Sequence, residues 1–229
     1  MSWVVTADQV KSRTGRDRVP DALEELQTVS TTRAFERTAG DEIQAVLARG
    51  ADVVGALRVL VRLGDWRVGI GGGAVETPLP VSTRAGRGPA FVAAREALSA
   101  ARRAPGGIAV RVCPGGRVVS GPGYRRGQRD EAADAADASD GGGAADAETM
   151  LWLLADLWRR RSPEGWEVVE LFTAGQNGQQ SARSLDISPS AVSQRASAAR
   201  WVEGRRAEEL AARLVDGALS ARTDGQAGA

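Results

Sequence analysis

The stretch Arg37-Thr38-Ala39-Gly40-Asp41-Glu42-Ile43-Gln44 decides how this chain folds. It reads as a strand that enters a tight turn at Gly40-Asp41 and leaves as a second strand through Ala45, Val46 and Leu47. Gly supplies the positive φ that such a turn needs, and Asp hydrogen-bonds its own backbone there. Two adjacent carboxylates, Asp41 and Glu42, are thereby thrust out of a hairpin. Matching chemistry occurs upstream. Trp3-Val4-Val5-Thr6-Ala7-Asp8-Gln9-Val10-Lys11-Ser12-Arg13 is an apolar strand that also ends in an Asp. Two strand-end aspartates meeting on neighbouring strands would make an all-oxygen site for Mg²⁺, which commonly uses one or two carboxylates beside phosphate oxygens.

Working outward, Pro20 opens a short helix through Gln27, with acids in its first turn. After the hairpin, Val53, Leu57, Leu60 and Val61 fall at helical spacing. A strand from Asp65 runs into Gly69-Ile70-Gly71-Gly72-Gly73, and Pro89 to Ala101 forms an amphipathic helix with Phe91, Ala94 and Leu98 on one face. Ile108 to Cys113 is a last strand. The order β-α-β-β-α-β-α-β around a central hairpin is a ferredoxin-like or palm-type α+β layout. That topology lays the first strand beside the hairpin and carries Asp8 towards Asp41. The glycine run lacks a βαβ dinucleotide fingerprint and a phosphate-loop Lys. It predicts a glycine-rich hairpin that lets a ligand or strand approach closely.

Composition narrows the chemistry. The chain has 229 residues, 42% hydrophobic and 26% charged, as expected of a soluble protein of one or two domains. No apolar run approaches the roughly 18 residues of a membrane span, and no basic-then-apolar leader opens the sequence, so a cytoplasmic protein is expected. There is no His and one Cys, Cys113, which argues against zinc sites, His-based triads and an intrachain disulfide. Any chemistry must use carboxylates, Arg, Lys or Ser with a metal. The net charge of +1 gives no strong bulk attraction to nucleic acid.

Residues 118–147 are rich in Gly, Ala and Asp, and predict a flexible acidic linker between a domain at 1–117 and one at 148–229. The second domain reads as all-α. A helix over 149–161 carries Met150, Leu151, Leu154 and Leu157, and a second runs from Glu164 to Ala174. Trp152, Trp158 and Trp166 read as the core of this domain. Next, Ala182 lies on a short helix, a turn follows at Asp186, and Ser188-Pro189 is a good N-cap followed by Pro at the first helical position. With Ile187 and Val192 facing inward, this is a helix-turn-helix pattern. Its second helix offers Ser190, Ser193, Gln194, Arg195, Ser197 and Arg200 to double-stranded DNA, with no acid among them. Gln and Arg are side chains that pair bidentately with adenine and guanine edges. Acids and bases nearly balance across the domain, so a homodimer is expected to supply affinity.

Thr6-Ala7-Asp8-Gln9-Val10-Lys11-Ser12-Arg13, Gly40-Asp41-Glu42-Ile43-Gln44, Gly69-Ile70-Gly71-Gly72-Gly73 and Gly88-Pro89-Ala90-Phe91-Val92-Ala93-Ala94-Arg95, followed by the helix-turn-helix, resemble the SatD family of bacterial proteins. That resemblance implies a DNA-binding or MarR-type regulator. The N-terminal half also resembles, remotely, the class III nucleotidyl cyclase domain. What this second resemblance implies is that Asp8 and Asp41 hold Mg²⁺ or Mn²⁺ on a nucleoside triphosphate, that Arg37 stands at the base-reading position, and that Arg95 stabilises phosphate. The family's Asn on the Arg95 helix is Phe91 here, which replaces a polar transition-state contact by an apolar ring.

The expectation is therefore a transcriptional regulator with a metal- and nucleotide-sensing palm, in which Asp8, Asp41 and Glu42 hold the metal–phosphate group and Arg95 balances its charge. The alternatives are a metal-dependent nucleotidyl cyclase or nucleotidyltransferase, and a catalytically inert protein-interaction module.

Overall fold

Alternation sets the central strand. In β1 (Ser2–Gln9), Trp3, Val5 and Ala7 point to one face of the sheet, while Val4, Thr6 and Asp8 point to the other. The computed structural model describes residues 1–10, 15–113, 119–120 and 142–220, and its architecture is α+β. The strands are β1, β2 (Arg33–Ala39), β3 (Glu42–Leu47), β4 (Trp66–Gly73), β5 (Ile108–Cys113) and the short β6 (Val119–Ser120). They form one mixed sheet in the order β2-β3-β1-β4-β5-β6. β1 lies between β3 and β4 and is antiparallel to both, β2 is antiparallel to β3, and β5 runs parallel to β4. The hairpin turns at Gly40, with φ +56°, as its Gly-Asp pair predicts.

One face of the sheet is covered by α1 (Val19–Glu25) and α2 (Gly50–Leu63). The other receives α3 (Pro89–Ala101). Gly69 and Gly71 explain how close α3 comes: an added Cβ would stand 2.3 Å from the Leu98 nitrogen or 2.1 Å from the Ala94 nitrogen. The glycine run expected as a hairpin is thus the second half of β4, and what approaches it closely is a helix backbone. On the opposite face, Gly72 leaves room for the fully buried ring of Trp3.

The C-terminal helices are α4 (Gly142–Arg159), α5 (Pro163–Thr173), α6 (Gly178–Ser184), α7 (Pro189–Ala198) and α8 (Trp201–Ser220). Most of the linker expected over 118–147, with Arg125, Arg126 and Arg129, lies outside the described residues, as do Lys11, Ser12 and Arg13. Helix α4 nevertheless begins at Gly142, inside that segment. Its Ala144, Ala147, Leu151, Leu154 and Trp158 are spaced three and four apart and are all buried. The Ala/Asp composition of 142–148 conceals this stripe because alanine is small enough to pack yet raises mean hydropathy little.

Helices α4 and α8 do not build a separate core. Leu151, Leu154, Trp158, Ala211 and Val215 join the same buried cluster as Trp3, Val5, Leu57 and Ile70. The Trp152 indole N–H donates to the Ile108 carbonyl of β5 at 2.7 Å. Trp152, Trp158 and Trp166 therefore pack into the core that the sheet and the C-terminal helices share, not into a core of the C-terminal helices alone. Buried Glu148 fastens the seam, accepting from the Val110 N–H at 2.9 Å and from Arg111 at 3.1 Å. At the other end, Asp216 of α8 accepts from the Gly50 N–H at 2.6 Å and so caps α2.

Candidate functional site

Strand register assembles the first candidate. Asp8 is paired across the sheet with Glu42 on one side and Arg67 on the other, so all three side chains share a face. Asp41 stands in the adjoining turn, where its carbonyl accepts from the Gln9 N–H at 3.3 Å. Burial pushes the Asp8 carboxyl above its ordinary value of 3.8; Arg67 opposes the rise, Asp41 adds to it, Arg102 opposes it and Glu42 adds to it. The Arg67–Asp8 separation of 3.8 Å leaves the ion pair loose. Asp8 Oδ1 is buried and has no hydrogen-bond partner among the described residues. Glu42 is held by the Thr38 hydroxyl at 2.6 Å. Beneath them, Thr6 accepts a hydrogen bond from buried Gln44 at 2.8 Å.

The segment between β4 and α3 closes over the far end of this face. Glu36 fixes it by accepting from Ser82 at 2.5 Å, from Thr83 at 2.9 Å and from the Arg84 N–H at 2.9 Å. Burial works to raise the Glu36 carboxyl, but these hydrogen bonds outweigh it and hold the group low. Val75 and Leu79 pack there against Val4, Val46 and Phe91. Phe91 is thus a wall residue of the face that carries Asp8.

The expected partners of Asp8 divide. Arg95 lies on α3, four residues after Phe91, on the sheet face that carries Asp8, and is exposed. Arg37 is elsewhere. It is in register with Ile43, whose side chain belongs to the opposite face, and its guanidinium meets Asp17 at 2.5 Å. A register shift between Arg37 and Ala39 sets this phase. Arg67 and Arg102, which also act on Asp8, carry no motif that marks them in the sequence. Arg102 continues the Phe91–Arg95 stripe by helical spacing, but Arg67 becomes visible only once β4 is set against β1. Among the described residues, no three Asp, Glu or Cys side chains gather closely enough to hold a metal ion unaided.

The second candidate is built from local chemistry. Asn177 starts α6 with a capping box, accepting from the Gln179 and Gln180 N–H groups while Gln180 returns a bond to the Asn177 N–H. Asp186 takes φ +52° in the turn, which an Asp tolerates better than most residues. Ser188 caps α7 by accepting from the Ala191 N–H at 3.1 Å. Val192 and Ala182 pack on Val168 of α5, with Ile187 and Phe172 beside them. Ser190, Ser193, Gln194 and Ser197 are left exposed on α7. Arg195 is half-buried and turned to Glu167 of α5 at 3.2 Å, whereas Arg200, beyond the helix end at φ +53°, pairs with Glu203.

Helix α5 joins the two regions because its two faces do different things. Trp166 and Val169 enter the core shared with the sheet, while Val168 packs on α6 and α7. Among the described residues, no helix is long and apolar enough to cross a membrane. Compared with models of protein families, with curated proteins and with solved structures, the chain finds no match.

Proposed function

We propose that this chain is a DNA-binding transcriptional regulator, in which α6 and α7 act as a helix-turn-helix and the sheet domain is a ferredoxin-like palm that senses a metal-bound nucleotide. The observation that carries the DNA reading is the exposed, acid-free face of α7, with Gln194 flanked by Ser190, Ser193 and Ser197. Such a face suits hydrogen bonding to base edges in a major groove. Support for the palm comes from the order β2-β3-β1-β4, all antiparallel, with helices between β1 and β2 and between β3 and β4. The likeness of these segments to the SatD and class III cyclase families favours the same division of labour. We place the protein in the cytoplasm as a homodimer, whose two copies of α7 would read two half-sites.

Asp8 and Asp41, with Glu42 beside them, would hold Mg²⁺ or Mn²⁺ against phosphate oxygens. The donor set is all oxygen, and the orphaned Asp8 Oδ1 has a lone pair to give. Arg95 and Arg102, on the same side of the sheet, would balance phosphate charge. A bound cation would also offset the mutual repulsion of Asp8, Asp41 and Glu42. The change would pass to α7 through the shared core and α5, so the coupling is by packing and not by a tether.

The test is retardation of selected genomic fragments by the full chain, with and without nucleoside triphosphate and Mn²⁺. Gln194→Ala is expected to cost about 1–3 kcal/mol of discrimination without changing stability. Arg195→Ala is expected to cost less, because its guanidinium is already held by Glu167. Absence of any sequence-specific retardation under either condition would remove this reading.

The orphaned Asp8 Oδ1 also favours a second reading, a metal-dependent nucleotidyl cyclase or nucleotidyltransferase. Mass spectrometry of the protein incubated with the four ribonucleoside triphosphates and Mn²⁺ separates the two. A cyclic or linked product absent from the Asp8→Ala/Asp41→Ala variant makes it an enzyme, whereas a retained, unchanged triphosphate makes it a sensor.

A further inference from the structure

The turn between α4 and α5 carries positive charge that its surroundings leave partly unanswered. A cleft of about 460 Å³ opens there, lined in part by Arg62, Arg159, Arg161, Trp166, Glu167 and Glu170. Arg161 is only 7% exposed. Its Nε donates to the Ala199 carbonyl at 2.8 Å, and its guanidinium lies over the Trp166 ring, 4.7 Å from the centroid. Gly204 makes room for it, since a Cβ there would fall 2.3 Å from Arg161 Nη2. Yet Arg161 Nη1 is buried, with no hydrogen-bond partner among the described residues.

The carboxylates nearby are already engaged. Glu170 pairs with Arg62, and Glu167 with Arg195 at 3.2 Å. Glu208, which faces Arg161 from α8, accepts from the Trp158 indole at 3.1 Å and lies 3.8 Å from Arg58. Among the described residues, Arg159 donates to the Gly106 carbonyl, at 2.7 Å. The N-terminus of the eleven-residue α5 adds its partial positive charge beside the cleft. Buried unsatisfied donors are rare in folded proteins and call for a partner, the more so on a charged group.

We propose that this cleft is a binding site for a small organic anion. Its carboxylate or phosphate head would accept from Arg161, with Arg62 and Arg159 at the rim, and its apolar body would lie along the edge of Trp166 that lines the cleft. Arg favours such planar, multidentate recognition of oxyanions. This binding is independent of whether α7 meets DNA and of whether Asp8 holds a metal.

The experiment is calorimetric titration of the full chain with phenyl phosphate and with phenylacetate, beside neutral benzyl alcohol, while tryptophan fluorescence is followed. At least one anion is expected to bind saturably, one per chain, and benzyl alcohol is not. A tenfold preference between the anions identifies the head group. Arg62→Gln and Arg159→Gln, both at exposed positions, are each expected to weaken binding about tenfold. Arg161→Met is expected to abolish it; should that variant fail to fold, the two rim variants decide. Three results would overturn the proposal: no saturable binding of either anion at millimolar concentration, equal binding of benzyl alcohol, or binding that neither rim variant alters.

Discussion

The face around Asp8 and the α6–α7 unit are made in opposite ways. Asp8, Glu42, Arg67 and Arg102 come from four elements or their ends and meet only because β1 is paired to β3 and β4 in one register. Asp8, Glu42 and Arg67 are partly desolvated, so charge decides their behaviour. The residues from Asn177 to Ser197 form within twenty-one positions, through caps and one turn, and leave Ser190, Ser193, Gln194 and Ser197 in water. A site assembled by register depends on everything that holds the sheet. A site assembled by caps depends on its own few residues and on the surface that seats it.

The seam offers the strongest way to break this contrast. Glu148→Ala leaves the Val110 N–H unanswered and strips the buried Arg111 guanidinium of its carboxylate, leaving it the Val110 carbonyl. Removing one member of a buried pair costs about 3–5 kcal/mol. Urea unfolding should show that loss, with probes in both regions moving together. Separate transitions would mean that the α6–α7 unit stands on its own. Glu148→Gln should recover much of the loss, because its amide oxygen can still accept from Val110.

Gly71→Ala is directed at the sheet side alone. Its Cβ would press on the Ala94 backbone, which has no side-chain freedom with which to yield. The cost should be at least the 1–3 kcal/mol or so of ordinary overpacking. Triphosphate binding should weaken further than DNA binding does, as α3 carries Arg95 and leads to Arg102. The reverse order would break the contrast.

Ser188→Ala is directed at the other side. Loss of the cap on Ala191 should cost about 1 kcal/mol, read as faster amide exchange in the first turn of α7. Nucleotide binding should not change.

The smallest effect sharpens the account of Asp8. Its carboxyl titrates above its ordinary 3.8 in the folded chain, so the folded state keeps a proton that the unfolded state has released. Stability from this group is fully present below 3.8 and is lost as pH rises through the raised value. Asp8→Asn carries no such dependence. The Tm of Asp8→Asn minus that of the wild type should therefore increase as pH rises from below 3.8 towards neutrality, and Mg²⁺ with a triphosphate should shrink it. A difference that stays flat with pH would mean that Asp8 is not desolvated.

What the sequence determined by itself is the local chemistry. The Gly40-Asp41 turn, the Ser188-Pro189 helix start and the apolar stripe of α2 rest on φ preferences, caps and periodicity, which act over a few residues. Even the approach of Asp8 to the hairpin carboxylates followed from element order. Tertiary structure alone decided the rest. A shift of one residue in strand pairing exchanges the faces of a sheet and separates Arg37 from Asp8, while the register of β4 on β1 brings Arg67 to it. Gly69 and Gly71 acquire their purpose from α3, nineteen or more positions further on. Alanines that read as linker become core because a sheet lies against them, and Arg195 is drawn from the exposed face by a glutamate on another helix. Each of these outcomes depends on a contact between distant segments, and no window of sequence contains both partners.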